Sequence, residues 1–281
     1  MSEWEAPAKI NLDLRLRPPD RSGLHPLHSY FQAVEWLDRL VVEEGDEDGL
    51  VVEGADLPDD EDNLVWKAVA ALDLRDRPPL HMELHKSIAV AAGLGGGSSD
   101  AAAALAAVGE MLSVDPERIR AAAPRVGADV PFFLTGGTAL VEGHGDQITP
   151  VEPLSGFAVA IVVPPFELAT PEVYRRWDEL DGPTGPELAG SDLPPPLRRR
   201  FDELRNDLVP AAVSLRPELA DWMHDLGEAW EQTVLMSGSG PACFGFFLDV
   251  GEAEDALDEV GEHRAAKAAE LRTRGVGRRE D

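Results

Sequence analysis

Residues 93–100 read Gly-Leu-Gly-Gly-Gly-Ser-Ser-Asp and run straight into an alanine-rich stretch, and this segment constrains the fold more than any other in the 281-residue chain. Gly93, Gly95, Gly96 and Gly97 permit positive φ angles and let the backbone approach another group closely. Successive N–H groups of such a loop can surround an anion, and the N-terminus of the following helix adds its partial positive charge. Ser98 and Ser99 offer hydroxyls to phosphate oxygens or to magnesium carried by them, and the small side chains of Ala101 to Ala104 let the helix pack closely. The Gly-Lys-Ser/Thr ending of a P-loop is missing, and the spacing does not match a Rossmann fingerprint.

Around this loop the chain alternates between period-2 and period-3.6 patterns, which predicts mixed α/β halves with a boundary near residues 150–156. Strands are expected at Ala8 to Leu16, Tyr30 to Trp36, Leu40 to Glu44, Gly49 to Glu53, Leu80 to His85, Thr138 to Glu142 and Gln147 to Val151. Helices are expected at Asn63 to Leu72, Ser99 to Met111 and Pro116 to Ala123, the last capped by Asp115 with proline in the first position. Past the boundary, strands are expected at Phe157 to Val163, Val234 to Ser237 and Ala242 to Leu248. Helices are expected there at Thr170 to Leu180, Leu197 to Leu208, Glu218 to Gln232 and Val250 to Glu262. Asp181 to Pro196, rich in Gly, Pro and acid, reads as a loop. Arg264 to Asp281, charged and weakly periodic, reads as an end that frays.

Charge and composition exclude several functions. The 25 Lys and Arg against 53 Asp and Glu leave a formal charge of −28, which argues against nucleic acid and against an anionic membrane as partners. An anionic ligand would need a locally positive site, built from backbone N–H groups and a few placed cations. One cysteine, Cys243, rules out an intrachain disulfide and a cysteine-based zinc site and reads as a small buried strand residue. No apolar run reaches the ~20 residues of a membrane helix, and the acidic start lacks signal-peptide character, so a soluble cytoplasmic protein is expected. The number of chains per molecule cannot be read from the sequence.

Three further motifs are weak when taken singly. Lys9, in Pro7-Ala8-Lys9-Ile10-Asn11-Leu12, could be a snorkelling edge residue. Asp129, in Gly127-Ala128-Asp129-Val130-Pro131-Phe132-Phe133, could be a turn aspartate that caps a neighbour. Ser237-Gly238-Ser239-Gly240-Pro241 could be an ordinary hairpin turn. Together with the glycine loop, however, these segments resemble the three motifs of the GHMP kinase superfamily. Gly23-Leu24-His25, the Asp129 segment and Glu142-Gly143-His144-Gly145-Asp146 are similar to the branch that acts on a cytidine diphosphate derivative of methylerythritol.

The resemblance implies an α+β, two-domain fold. Residues 1–153 would form a ribosomal-protein-S5-domain-2-like ATP-binding domain, and residues 154–281 a ferredoxin-like domain. It implies ATP and Mg2+ as cofactors and transfer of phosphate to the C2 hydroxyl of the methylerythritol unit. Asp129 would be the catalytic base and Lys9 the catalytic lysine that keeps it ionised. Ala89, Val90, Ala91, Ala92, Gly93, Leu94, Gly95, Gly96, Gly97, Ser98 and Ser99 would bind ATP, with Asn63 and Lys86 near adenine and ribose. Asn11, His25, Thr170, Tyr174, Gly238 and Ser239 would bind the substrate, His25 at the cytosine and Thr170 and Tyr174 beside it. The chain departs from the family's pattern at Leu24, where an aromatic that stacks on cytosine is usual, and at Ala89, where proline is usual. Another GHMP small-molecule kinase (homoserine, mevalonate or sugar kinase) or an inactive nucleotide-binding regulator on the same fold are the alternative readings.

Overall fold

The computed structural model describes residues 1–154, 156–182 and 204–279. Its strands make two sheets, numbered here in chain order with the helices. In the first, β1 (Ser2–Leu16) and β2 (Leu27–Glu44) form a long antiparallel hairpin. One end of β2 pairs with β4 (Leu80–His85), which pairs in parallel with β3 (Gly49–Glu53). The other end pairs with β5 (Thr138–Gly143), and β6 (Gln147–Pro150) pairs with β5. Helices α1 (Leu64–Ala71), α2 (Gly96–Met111), α3 (Pro116–Val126) and α4 (Val130–Thr135) share a core with this sheet.

The second sheet is antiparallel, in the order β10 (Ala265–Glu270), β7 (Ala158–Val163), β9 (Cys243–Phe247), β8 (Leu235–Met236). Helices α5 (Thr170–Glu179), α6 (Val209–Leu215), α7 (Glu218–Trp230) and α8 (Val250–Asp258) back it. Val159, Ile161 and Val163 of β7 point into a core between the sheets, while Ala158, Ala160 and Val162 face the helices. Burial on both sides is why β7 is a continuous apolar run. Cys243 lies buried in β9, and burial pushes its thiol up to about 12. This mixed α/β architecture in two sheets is of the kind the motifs imply.

Two local irregularities position the site. Trp4 and Ala6 of β1 belong to the helix-facing core, yet Ala8, Ile10 and Leu12 belong to the core between the sheets. A register shift between Pro7 and Ala8 reverses the alternation, so Lys9 and Asn11 turn toward the helical side, opposite Ala33 and Phe31 of β2. The second irregularity is the start of α2. Gly95 is its N-cap, with φ +72°, and a Cβ there would lie 2.8 Å from the Phe133 ring. No side chain caps the helix, which leaves its first N–H groups available to a ligand.

Most expected elements form, with instructive differences. Tyr30 to Trp36 and Leu40 to Glu44 are one strand, because β2 continues through the irregularity opposite Pro7 and Ala8. The alanine-rich helix starts at Gly96, inside the glycine run rather than at Ser99. Helices α4 and α6, each opening with proline in its first turn, were not anticipated. The last helix stops at Asp258, short of Glu262.

The expected loop over 181–196 and helix over 197–208 fall largely outside the described residues. The described part of that helix, Leu204 to Leu208, is not helical: Leu14 N donates to Arg205 O and Asp207 N to Leu14 O, binding the segment to β1. The C-terminal stretch does not fray over its described length. β10 completes the second sheet, and β11 (Gly277–Arg278) joins the first beside β1. Between them the Arg272 guanidinium, 4% exposed, donates to Glu35 and Glu5, fastening the tail across the sheet. Four alanines in six strand residues carry too little alternation to show this in the sequence. Among the described residues no helix is long and apolar enough to cross a membrane.

Candidate active site

A cleft of about 1020 Å3 opens over the glycine loop. It is lined by Lys9, Asn11, His25, Asn63, Lys86, Ala89 to Ser98, Asp129, Thr170, Tyr174, Gly238 and Ser239. The sequence-predicted site residues thus come together from seven separate stretches of chain. The exception is Ser99, whose hydroxyl is buried without a hydrogen-bond partner and does not line the cleft.

Lys9 is 3% exposed, and its ammonium donates to Asn11 Oδ1 (2.6 Å) and Gly93 O (2.9 Å). It lies 4.9 Å from the Phe31 ring centre and 3.8 Å from Asp129 Oδ2. Burial depresses the Lys9 pKa, and the Asp129 charge pulls it back up. Asp129 occupies the N-cap position of α4 but makes no capping hydrogen bond, so its carboxylate faces the cleft and Lys9. That geometry overrides both bland readings of these residues, since Lys9 does not snorkel to solvent and Asp129 does not cap.

The Ser237–Gly240 turn closes the same end. Ser237 Oγ donates to Gly93 O (2.9 Å) and accepts from Asn11 N (3.3 Å). Asn206 holds the turn by donating to Met236 O (2.9 Å) and Gly238 O (2.7 Å). Thr170 Oγ1 and Ser239 Oγ, 2.7 Å apart, join α5 to this turn.

The wall toward β1–β2 is aromatic. The His25 ring centre is 5.4 Å from Tyr174 and 5.2 Å from Trp177. His25 Nδ1 is 3.0 Å from Arg17 O and Nε2 is 3.3 Å from Asp178 Oδ2. Burial, with Asp129 nearby, pushes the Tyr174 phenol well above its ordinary range, so it stays neutral. Leu24, 54% exposed, lies at the rim of the cleft.

At the opposite end, under the glycine loop, sequence reading missed two aspartates. Lys86 donates to Asp38 and to Asp100 Oδ2 (2.6 Å), and all three side chains are nearly fully buried. Asp100 was visible as the residue after Ser98-Ser99, but an acid beside an anion cradle carries no sequence signal of its own. Asp38 and Asn206 carried none either, since their partners are distant in sequence. Asn63 caps α1 by accepting from Val65 N (2.9 Å), which leaves its contribution to the cleft wall mainly steric.

Comparison with known proteins agrees with this geometry. The profile of the GHMP kinases N terminal domain matches residues 63–137. A solved homoserine kinase from Cytophaga hutchinsonii superposes with a TM-score of 0.72 at 19% identity, covering 99% of this chain and 96% of that one, a likeness of fold. Fold, glycine loop and facing lysine and aspartate define a GHMP-type small-molecule kinase. A crystal structure of 4-(cytidine 5'-diphospho)-2C-methyl-D-erythritol kinase superposes with a TM-score of 0.82 at 35% identity, over 96% of this chain and 98% of that one. The 4-diphosphocytidyl-2-C-methyl-D-erythritol kinase of Cutibacterium acnes is 38% identical over 268 residues, 88% of this chain and 86% of its own length. The chain belongs to the 4-diphosphocytidyl-2-C-methyl-D-erythritol kinase family.

Proposed function

We propose that the chain transfers the γ-phosphoryl group of ATP to the C2 hydroxyl of 4-diphosphocytidyl-2-C-methyl-D-erythritol, a step in the methylerythritol phosphate route to isoprenoids. The observation that carries the reading is the placement of the Lys9 ammonium between a glycine-loop carbonyl, Gly93 O, and the Asp129 carboxylate, within one cleft. A tertiary hydroxyl is crowded and barely acidic, so it needs a positioned base. Asp129 accepts its proton as the hydroxyl oxygen bonds to the γ-phosphorus and the bond to ADP breaks. Lys9 keeps Asp129 ionised and faces the negative charge that gathers during transfer. Its bonds to Asn11 and Gly93 hold the ammonium in place, so little reorganisation is needed.

The nucleotide's phosphates sit on the N–H groups of the loop and the first turn of α2, a positive end in a chain of strongly negative charge. Magnesium bound with ATP would neutralise charge on the polyphosphate, and Ser98, which lines the cleft, would offer it a hydroxyl. Among the described residues no cluster of three or more His, Cys, Asp or Glu could hold a metal ion. The cytidine lies between Tyr174 and Leu24. His25, with Nδ1 against Arg17 O and Nε2 facing the Asp178 carboxylate, stands on the same wall, where it meets the edge of the cytosine. The two sheets support a division near 153/154 into an ATP-binding part and a part that closes the cleft. A substrate set of ATP and a small phosphorylated metabolite fits the cytoplasm.

The test is ADP release from ATP and magnesium with 4-diphosphocytidyl-2-C-methyl-D-erythritol, beside homoserine and mevalonate. Turnover with the cytidine substrate alone is expected. Turnover with homoserine or mevalonate, and none with the cytidine compound, would overturn the assignment.

A further inference from the structure

Lys86 lines the cleft, and a lysine there invites assignment as a nucleotide ligand. Its surroundings point elsewhere. Its side chain is 3% exposed, and its ammonium donates to one oxygen each of Asp38 and Asp100. Asp38, in the middle of β2, also accepts at Oδ1 from Ser87 N (2.5 Å) and Ile88 N (2.8 Å), the first residues of the segment that leads into the glycine loop. Asp100 lies four residues after Gly96 and so on the same face of α2. A Cβ on Gly96 would sit 3.3 Å from Lys86 Nζ, so the missing side chain is what lets the ammonium reach under the helix start.

We propose that Lys86, Asp38 and Asp100 form a buried brace, in which Lys86 is a positioning residue that fixes the glycine loop and the first turn of α2 for phosphate binding and does not itself contact the nucleotide. The inference rests on the reading that the loop takes ATP. The brace joins the three parts that must keep register for the loop N–H groups to converge: β2, the exit of β4 and the start of α2. A lysine engaged by two carboxylates has little to offer adenine or ribose, because leaving them would strand buried negative charge.

The charge of the cluster fits the same role. Burial pushes Asp100 up to about 7, with Lys86 pulling it down and Asp38 pushing it up. Lys67 of α1, Lys9 of β1 and Asp129 before α4 lie on elements that also pack on α2, but only Lys86 and Asp38 act on Asp100. Asp100 Oδ1 has no hydrogen-bond partner. A proton there leaves the brace near neutral beside an incoming polyphosphate.

The test measures nucleotide affinity without turnover, so it stands apart from the identity of the phosphate acceptor. ADP and adenosine are titrated against a fluorescent ADP analogue. Lys86→Met is expected to weaken ADP at least tenfold and adenosine less than twofold. Equal weakening of both would show that Lys86 reads the nucleoside directly and would overturn the proposal, as would unchanged ADP affinity. If Lys86→Met does not fold, Asp100 decides. Asp100→Asn keeps an acceptor for Lys86 and should hold ADP affinity within threefold, whereas Asp100→Ala should lose tenfold. Equal affinities in those two variants would equally overturn the brace.

Discussion

Two buried lysines flank the glycine loop, and their surroundings differ. Lys9 faces one carboxylate at 3.8 Å, that of Asp129, which is itself partly exposed, and donates its hydrogen bonds to a neutral amide oxygen and a backbone carbonyl. Lys86 is gripped by two buried carboxylates. Burial lowers the Lys9 pKa and one opposing charge restores only part of it. Burial would lower Lys86 as well, but Asp100 and Asp38 more than reverse it, and its pKa rises. A cation serves chemistry when its charge is under-compensated and its front is open, and serves architecture when its charge is spent inside the protein.

The largest effect that would break this contrast is catalytic. Asp129→Asn should cut kcat by on the order of 10^2–10^4 while ADP binding stays near wild type, read by steady-state kinetics beside titration. A variant that kept near-wild-type turnover would remove the open lysine's partner from the chemistry.

Next comes stability. Lys86→Met strands the buried Asp38 carboxylate and leaves Asp100 without its donor, and should cost about 3–5 kcal/mol. At roughly 2–4 °C per kcal/mol, thermal denaturation should show Tm falling by on the order of 10 °C. Lys9→Met strands only one, partly solvated acid and should cost clearly less, so equal losses would erase the distinction.

A smaller effect follows from Asp100. Its pKa in the folded chain is raised to about 7, above the unfolded value of about 4. The folded state therefore binds the extra proton, and this contribution is complete below about pH 4 and lost as pH rises to about 7. Asp100→Asn lacks that loss, so its Tm relative to wild type should climb between pH 5 and pH 8. Parallel profiles would mean that Asp100 is ionised throughout.

The smallest effect concerns the far rim. Leu24→Tyr adds a stacking face worth about 1 kcal/mol, the low end for a base on an aromatic, because the site is half open. KM for the cytidine substrate should fall about fivefold with KM for ATP unchanged. An unchanged KM would mean that Tyr174 alone grips the base.

Much of the site was legible in the sequence because its chemistry is local. The glycine run, the lysine on an alternating strand and the aspartate before proline each occupy a short segment, and joint resemblance to one family joined them. Ser99 shows the limit: one position along a helix turns its hydroxyl from the cleft into the core. The C-terminal strands show another, since Arg272 reads as a surface charge until its partners Glu5 and Glu35 arrive from the other end of the chain.

The amino-acid sequence alone determined the glycine loop that leads into a helix and the alternating strands, since these depend on backbone freedom, period and residue type over a few neighbours, whereas Lys9 and Asp129 were joined only by resemblance to a family. Only the tertiary structure decided which lysine is free and which is neutralised. That depends on a register shift at Pro7 and Ala8 that turns Lys9 toward the helices, and on Asp38 and Asp100 meeting around Lys86 from 48 and 14 residues away. Charge compensation is set by distance in space and by burial, and neither can be read from separation along the chain.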